Sequence, residues 1–230
     1  MNNKNNHYDS NYALDHQKED PENYWEFQQI LKLHTPSYND KILEIGSNTG
    51  EFCHLLKEKF NVNPVGIDIN SFAVSIAKKN YPELNFHIQN LFDIKGKFDL
   101  IYMQHVIEHI ENPVIALKNL KNNLNDEGKL ILSCPNKWAY PNKLICWIQR
   151  ERFCYDPTHY HEFSPQSLTK TVTEAGYKPI KLLTKALPIP LLNRISPKIY
   201  YSIPSYLFGA FIFLKIEKNN NIGESRSFLF

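Results

Sequence analysis

The chain has 230 residues, a formal charge of +2, 42% hydrophobic residues and 22% charged residues. These values are close to those of ordinary globular domains, so they argue against a disordered or fibrous chain. The small net charge also argues against nucleic acid as the default partner. We therefore expect a single folded domain over residues 1–230.

The N-terminus is polar and rich in asparagine, without the apolar core and small-residue cleavage site of a secretory signal. The cysteines form neither a CxxC pair nor a dense disulfide framework, which favours reduced thiols. Both features predict a cytoplasmic protein. The cysteines are Cys53, Cys134, Cys146 and Cys154.

Short apolar runs alternate with segments of helical period through the first 136 residues. This alternation predicts an α/β domain with parallel strands joined by helices. The predicted strands are 41–45, 64–68, 84–88, 98–103 and 128–134, and the predicted helices are 22–34, 50–60, 72–80 with Ser71 as its N-cap, and 113–124.

A glycine loop follows the first predicted strand in ILEIGSNTGEF, residues 42–52, and leads into a helix. Glycines allow a tight turn and close approach to a ligand, while the helix N-terminus presents free N–H groups. The GxxxG spacing differs from the GxGxxG of dinucleotide sites and lacks the ending of a P-loop. Asp68 ends the second predicted strand, where an acidic side chain can accept hydrogen bonds from ribose hydroxyls. The pattern predicts a ligand that carries a ribose.

His105, Glu108 and His109 form an HxxEH pattern, which is the spacing of an inverted zinc-protease motif. A zinc-protease helix is long, whereas Pro113 follows almost at once and leaves room for only about two turns. The pattern starts at the carboxyl end of strand 98–103, where an open α/β sheet places its ligand crevice. A hydrolytic zinc site is therefore disfavoured.

Four segments in order resemble the successive motifs of class I S-adenosylmethionine-dependent methyltransferases: ILEIGSNTGEF, VGIDIN, FDLIYMQHVIEHIENP and GKLILSCPN. The third also resembles the EHxxxP signature of the ubiquinone-biosynthesis O-methyltransferases and their small-molecule relatives. The likeness covers about residues 40–136. It implies a Rossmann-like, mostly parallel seven-stranded sheet with helices on both faces, a last antiparallel strand and a small cap insertion.

The resemblance implies a site for S-adenosylmethionine. The glycine loop would hold the methionine part, Asp68 would bind the ribose, and Ile69 would lie beside the adenine. Asn90 stands where the family often has an aspartate near the adenine amino group, and its amide oxygen can still accept that hydrogen bond. The implied cofactor residues are Glu44, Gly46, Ser47, Asn48, Gly50, Asp68, Ile69, Asn90, Leu91 and Gln104.

In some of these relatives an acidic residue, a glutamate and a histidine in the HxxEH segment are associated with a divalent cation. The matching residues here are His105, Glu108 and His109, so a histidine replaces the first ligand. Two interpretations stay open. These residues hold a divalent metal, or Glu108 and His109 form hydrogen bonds that support the cofactor loop.

A second polar group lies in residues 154–168, before a predicted helix that Ser164 caps. An imidazole titrates near neutral pH, so a histidine here can serve as the general base for an acceptor hydroxyl. We predict His159 as this base, with His161 and His109 as further catalytic candidates. The alternative is that these histidines tie the cap to the core.

Residues 137–163 form a predicted substrate cap, whose aromatic residues either line an acceptor pocket or belong to the core. Residues 185–205 are apolar, interrupted by prolines and bracketed by basic residues, which suits an amphipathic segment on a membrane and a lipid-linked acceptor. The apolar run 199–216 is broken by prolines, so we predict the last strand within 207–218 instead of a membrane span. The aromatic residues are Trp138, Tyr140, Trp147, Phe153, Tyr155 and Tyr160.

The resemblance implies methyl transfer to a small-molecule acceptor, and we predict O-methylation of a quinone precursor, a sugar or another hydroxylated metabolite. Such an enzyme aligns the acceptor for in-line displacement, excludes water and removes a proton. Two other classes remain open. One is a catalytically silent methyltransferase-like partner subunit, and the other is an oxidoreductase with a nicotinamide cofactor, which the GxxxG spacing disfavours. The pattern assigns no oligomeric state.

Overall fold

The computed structural model describes residues 24–137, 158–185 and 211–219, which form one seven-stranded sheet with helices packed against it. The helices in these ranges are α1 (Trp25–Leu33), α2 (Glu51–Phe60), α3 (Ser71–Asn80), α4 (Pro113–Lys121) and α5 (Pro165–Glu174). The strands are β1 (Ile42–Ile45), β2 (Val65–Asp68), β3 (Asn85–Ile88), β4 (Phe98–Gln104), β5 (Leu124–Pro135), β6 (Tyr177–Lys185) and β7 (Phe211–Lys218).

The sheet has seven strands, as predicted, in the order β3-β2-β1-β4-β5-β7-β6. Strands β1 to β5 pair in parallel, while β7 runs antiparallel to both β5 and β6. Ile45 at the end of β1 is level with Ile67 of β2 and Met103 of β4. The carboxyl ends of these three strands therefore meet at one edge, where open α/β sheets bind their ligands.

Buried side chains fill both faces of the sheet, because successive residues of a strand point to opposite sides. The helices α4 and α5 cover one face, and α1 and α2 cover the other, which confirms the predicted layers. The first cluster includes Ile101, Met103, Leu132 and Leu214 with Leu117, Leu120, Leu168 and Val172. The second includes Leu100, Tyr102, Ile131 and Phe213 with Phe27, Ile30, Leu31, Phe52 and Leu56.

The predicted elements match the structure within a few residues at their ends, with two corrections. The predicted helix 113–124 ends at Lys121, because Leu124 already pairs with Phe98 as the start of β5. The N-cap of α3 is Asn70 instead of Ser71, because the Asn70 side chain reaches the N–H groups of the two residues after Ser71. The predicted Ser164 cap of α5 is confirmed, and it forms a capping box with Ser167.

Several predictions concern residues outside the described ranges. The central part of the cap, residues 138–157, and residues 186–210 of the apolar segment belong there, as do all the cap aromatics except Tyr160. The end of the apolar run 199–216 is part of β7, as predicted. No helix in the described ranges combines the length and apolar character needed to cross a membrane. Cys53 and Cys134, the two described cysteines, are buried free thiols.

Candidate active site

A cavity of about 620 Å³ opens at the carboxyl ends of β1, β2 and β4, within the usual range for small-molecule sites. Its lining combines the glycine loop, the ends of these strands, the start of α1 and the segment 158–160. Gly50 and His161 lie outside this lining. The predicted site residues that do line it are Glu44, Gly46, Ser47, Asn48, Asp68, Ile69, Asn90, Leu91, Gln104, His105, Glu108, His109 and His159.

The glycine loop is held tightly between neighbouring elements. The N–H groups of Gly46 and Ser47 both donate to the carbonyl of Ile67, at 2.8 and 3.0 Å. Gly46 has a left-handed φ of +76°, and a Cβ at this position would lie 2.4 Å from Cγ2 of Val106. A side chain here is therefore excluded by both conformation and space. Gly50, also left-handed, precedes α2 and leaves the helix N-terminus without a side-chain cap.

Asp68 ends β2 and uses both carboxylate oxygens to shape the loop. Its Oδ2 accepts the N–H of Asn48 at 2.9 Å, and its Oδ1 accepts the N–H of Asn70 at 2.8 Å. Burial raises the pKa of Asp68, while these backbone hydrogen bonds act in the opposite direction. Each oxygen keeps a further lone pair, so the carboxylate can also accept hydrogen bonds from the two hydroxyls of a ribose.

Glu44 lies buried in β1 and lines the cavity. The thiol of Cys53 donates to its Oε2 at 3.0 Å, and Nε2 of Gln104 lies 3.5 Å from its Oε1. Burial raises the pKa of Glu44 to about 8, against the lowering effect of the Cys53 hydrogen bond. The carboxyl group is therefore largely protonated at neutral pH. A bound cation, such as an amino-acid ammonium group, would favour its ionised form.

The predicted adenine side is largely apolar. Ile69 is 59% exposed and Phe92 is 48% exposed, and both line the cavity together with Leu91. The Oδ1 atom of Asn90 accepts the N–H of Phe92 at 3.0 Å, so one of its lone pairs is already used. Phe92 was missed by sequence reasoning, although an aromatic residue two positions after Asn90 is a usable signal.

The HxxEH segment forms a single 3₁₀ turn, Ile107–His109, instead of the long helix of a zinc protease. Glu108 is 1% exposed, and its carbonyl accepts the N–H groups of Tyr160 and His161 at 2.8 and 3.1 Å. A further hydrogen bond of 2.9 Å joins Nδ1 of His109 to Oγ1 of Thr158. The turn and the segment 158–161, which are about 50 residues apart in the chain, therefore form one substructure.

Glu108, His109 and His159 each offer one atom that can ligate a metal, and these atoms lie within 4.8 Å of one another. The rings of His109 and His159 meet edge to face, with centroids 4.7 Å apart. Both carboxylate oxygens of Glu108 are buried, and the nearest cationic group in the described part of the chain is the His105 ring, whose Nδ1 lies 3.4 Å from Oε1. A buried carboxylate with so few contacts can also accept a bound cation.

His105 has a different place from the one predicted for a metal ligand. Its Nε2 lies 2.7 Å from Oε2 of Glu26 and its Nδ1 lies 3.4 Å from Oε1 of Glu108. Burial alone would lower the pKa of His105, but the two carboxylates outweigh it and raise the pKa to about 10. A protonated imidazole has no lone pair for a metal. The geometry therefore replaces His105 with His159 in the candidate metal set.

His161 also departs from its predicted role. Its Nε2 lies 3.0 Å from the carbonyl oxygen of Glu111, and its ring packs against Phe163. These contacts join the segment 158–163 to the residues after the turn Ile107–His109. Glu26 is a second cavity residue that the sequence did not reveal, because a glutamate in an amphipathic helix gives no signal for a contact 79 positions away.

Comparison with known proteins gives a consistent result. A family model described as "Methyltransferase domain" matches residues 15–182. The tRNA U34 carboxymethyltransferase of Aliarcobacter butzleri is 24% identical over 183 residues, which are 75% of this chain and 60% of that protein. The phosphoethanolamine N-methyltransferase of Plasmodium falciparum is 33% identical over 153 residues, which are 62% of this chain and 52% of that protein. The chain thus spans only a little over half the length of these two curated relatives.

The ubiquinone biosynthesis O-methyltransferase of Rickettsia canadensis is 24% identical over 162 residues, 65% of this chain and 69% of that protein. Among solved structures, an S-adenosylmethionine-dependent methyltransferase of Thermotoga maritima matches with a TM-score of 0.66 at 22% identity, over 85% of this chain and 89% of that one. A chain from a complex of the Haloferax volcanii Trm112 methyltransferase activator with a methyltransferase matches with a TM-score of 0.67 at 12% identity, over 87% and 91%. These likenesses between structures show the fold.

Proposed function

Because the chain belongs to the class I S-adenosylmethionine-dependent methyltransferases, we propose that it transfers a methyl group to a hydroxyl group of a small molecule. The observation that carries this proposal is the continuous cavity between the glycine loop and the cluster of Glu108, His109 and His159. A methyl donor held by the loop would share one space with a proton acceptor on the opposite wall. We call this wall, formed by Glu108, His109 and His159, the acceptor wall. Such an arrangement suits a direct transfer without a covalent enzyme intermediate.

The residues at the loop fit the methyl donor. Gly46 leaves room for close approach of a ligand, Asp68 offers lone pairs to a ribose, and Glu44 can pair with an ammonium group. Ile69 and Leu91 provide apolar surface for an adenine ring. When bound, S-adenosylmethionine supplies an electrophilic methyl group on a sulfonium. These intact features also support an active enzyme over a catalytically silent partner subunit.

On the opposite wall we assign the general base to His159. One of its ring nitrogens accepts the proton of the acceptor hydroxyl while the new oxygen–carbon bond forms and the sulfur–carbon bond breaks. His109 packs against the His159 ring and is itself fixed by Thr158, so it orients the base. A positioned general base typically accelerates such a step by about 10²–10⁴-fold.

A divalent cation is a second candidate feature of the same wall, favoured by the buried carboxylate of Glu108. Glu108, His109 and His159 would hold it, with oxygen and imidazole ligands that suit several divalent metals. When bound, the cation would polarise an acceptor hydroxyl and lower its pKa. His159 would then serve as a ligand, and activity would depend on metal.

The first test is formation of S-adenosylhomocysteine from S-adenosylmethionine in the presence of separate acceptor classes. The panel contains catechols, hydroxybenzoates, sugars, a lipid-linked quinol, phosphoethanolamine and bulk tRNA, each with EDTA and with Mg²⁺, Mn²⁺ or Zn²⁺. We expect product with a hydroxylated small molecule. If product forms only with phosphoethanolamine or only with tRNA, that compound is the acceptor instead of a hydroxylated small molecule. Failure of the wild type to bind S-adenosylmethionine would contradict the methyltransferase activity itself.

Two histidines provide a matched pair for the base assignment. His159→Ala should lower kcat by about 100-fold, because His159 is the proposed base, while the donor Kd stays within about twofold. His161→Ala should lower kcat by less than about threefold, because His161 lies outside the cavity lining. Donor binding is measured by calorimetry and kcat with the acceptor found in the panel. Equal losses in both variants would contradict the assignment.

A further inference from the structure

Glu26 is a buried carboxylate, 6% exposed, that α1 directs into the cavity. It lies 79 positions before His105, which it contacts. Its two oxygens have different partners. Oε2 lies 2.7 Å from Nε2 of His105, and Oε1 accepts the hydroxyl of Tyr24 at 2.9 Å. Tyr24 therefore holds one oxygen of the Glu26 carboxylate, while the other oxygen contacts His105.

Besides Glu26, His105 contacts two further groups, Glu108 and Phe211. Its second ring nitrogen lies 3.4 Å from Glu108, and the ring packs edge to face on Phe211 with centroids 5.4 Å apart. The imidazole thus lies between a carboxylate of α1 and the carboxylate of the turn Ile107–His109. Movement of either carboxylate changes the position of the ring.

The backbone at His105 is in the left-handed region, with a φ of +52°, although the residue is not glycine. This conformation is unfavourable for a side chain with a Cβ, so surrounding contacts have to stabilise it. The His105 N–H donates to the carbonyl of Ser133 at 3.0 Å, which fixes one side of the residue. The ion pair with Glu26 fixes the other.

The left-handed conformation of His105 determines the path of the backbone through the residues that follow it. Val106 is placed against Gly46, where a Cβ would lie 2.4 Å from Val106 Cγ2, and the turn then brings Glu108 and His109 to the cavity. The conformation of one residue therefore connects the glycine loop to the acceptor wall.

We propose that Glu26 is a positioning residue, which acts through His105 to hold the turn that carries Glu108 and His109 in place for catalysis. Glu26 touches neither reactant in this role. The helix α1 thereby becomes part of the active site, because its docked position determines the geometry of the acceptor wall. The expected loss of kcat rests on the proposed function. The expected change in the environment of His105 and His109 can be measured without turnover.

The test uses the full chain labelled with ¹³C at Cε1 of its nine histidines. Resonances of His105 and His109 are assigned with His105→Asn and His109→Asn, and asparagine is chosen because it tolerates a left-handed φ. We expect Glu26→Gln, which conserves shape, to shift both resonances. Tyr24→Phe should shift both resonances in the same direction but by less. This variant replaces Glu26→Gln in the test if Glu26→Gln lowers Tm below the working temperature. Lys32→Gln, at an exposed position of the same helix, should shift neither.

A double-variant comparison shows whether the effect runs through His105. The His109 resonance in Glu26→Gln/His105→Asn should coincide with that in His105→Asn alone, because the intermediary is already removed. With the acceptor identified, kcat of Glu26→Gln should fall about tenfold while KM for S-adenosylmethionine stays within about twofold. A His109 resonance that does not respond to Glu26→Gln, or additive shifts in the double variant, would overturn the inference. A wild type without methyl transfer would instead contradict the proposed function and leave the resonance test intact.

Discussion

The two sides of the cavity are built in different ways. The cofactor half, residues 44–50, 68–70 and 89–92, consists of loops that directly follow β1, β2 and β3, and backbone hydrogen bonds hold it together. The acceptor half, Glu26 with residues 105–111 and 158–160, depends on side-chain and backbone contacts between segments 49 to 79 positions apart. The first half is determined locally, and the second forms only when the whole domain has folded.

This difference predicts how each half responds to substitution. Changes in the cofactor half should weaken donor binding, because the loop conformation and the ligand contacts depend on the same atoms. Changes in the acceptor half should lower kcat and leave donor binding nearly intact, as expected for His159→Ala. Four predictions test the cofactor half, from the largest expected effect to the smallest.

The largest effect is expected for Asp68→Ala. The substitution removes two hydrogen bonds to the loop and two proposed hydrogen bonds to the ribose, and each bond to a charged group contributes about 1.5–3 kcal/mol. The Kd for S-adenosylhomocysteine should rise by at least about 100-fold in calorimetry. Asp93→Ala, an exposed aspartate of the neighbouring 3₁₀ turn, is the control and should bind like the wild type. If Asp68→Ala and Asp93→Ala both lost binding, the loss could not be assigned to the contacts of Asp68 with the loop and the ribose.

An intermediate effect is expected from pH, through Glu44. Its pKa of about 8 means that the ligand-free carboxyl group is mostly neutral at pH 7, whereas pairing with an ammonium group requires the ionised form. Affinity for S-adenosylhomocysteine should therefore rise about tenfold from pH 7 to 8.5. Glu44→Gln should remove this pH dependence. An unchanged pH profile in Glu44→Gln would show that another group titrates.

The same raised pKa affects stability. The unfolded chain ionises Glu44 above its usual value of 4.5, whereas the folded chain keeps it protonated up to about pH 8. Unfolding therefore releases a proton in this window. The contribution of Glu44 to the free energy of unfolding is fully present below pH 4.5 and declines as pH rises to about 8. Denaturation of Glu44→Gln should lack this decline.

The smallest effect concerns the cap of α3. Asn70→Ala removes the acceptor for the N–H groups of Phe72 and Ala73, at 3.0 and 3.2 Å, and should lower the free energy of unfolding by about 1 kcal/mol. Ser71→Ala should be nearly neutral, because Ser71 is the first residue of the helix instead of its cap. Urea denaturation compares the two. A larger loss of unfolding free energy in Ser71→Ala than in Asn70→Ala would support Ser71 as the N-cap, as the sequence alone predicted.

The parts of the structure that sequence predicted are those set by local pattern. Apolar period and turn residues placed β1 to β5 and β7 within a few residues, and the strand–glycine–helix order placed Gly46 and Asp68 at the cavity. The number of strands and the antiparallel direction of the last one came from the family resemblance. Local pattern thus determines nearly all of the cofactor half.

The acceptor half shows where local pattern ends. Spacing put His105, Glu108 and His109 together, but the left-handed φ of His105 turns its ring towards α1, and no residue type announces that conformation. His159 lies close to Glu108 because the next two residues, Tyr160 and His161, donate backbone hydrogen bonds to the Glu108 carbonyl across a large sequence separation. Only the folded domain brings these groups together.

The position of β7 has a consequence for how the chain folds during synthesis. Within the described sheet β7 lies between β5 and β6, although it is translated after both. Until Phe211–Lys218 leaves the ribosome, β5 has an open edge and β6 has no neighbour in this sheet. Open strand edges are prone to pairing with other chains. A nascent chain that stalls before residue 211 should therefore depend on chaperones, and insertion of the final strand should be the step that commits it to the native sheet.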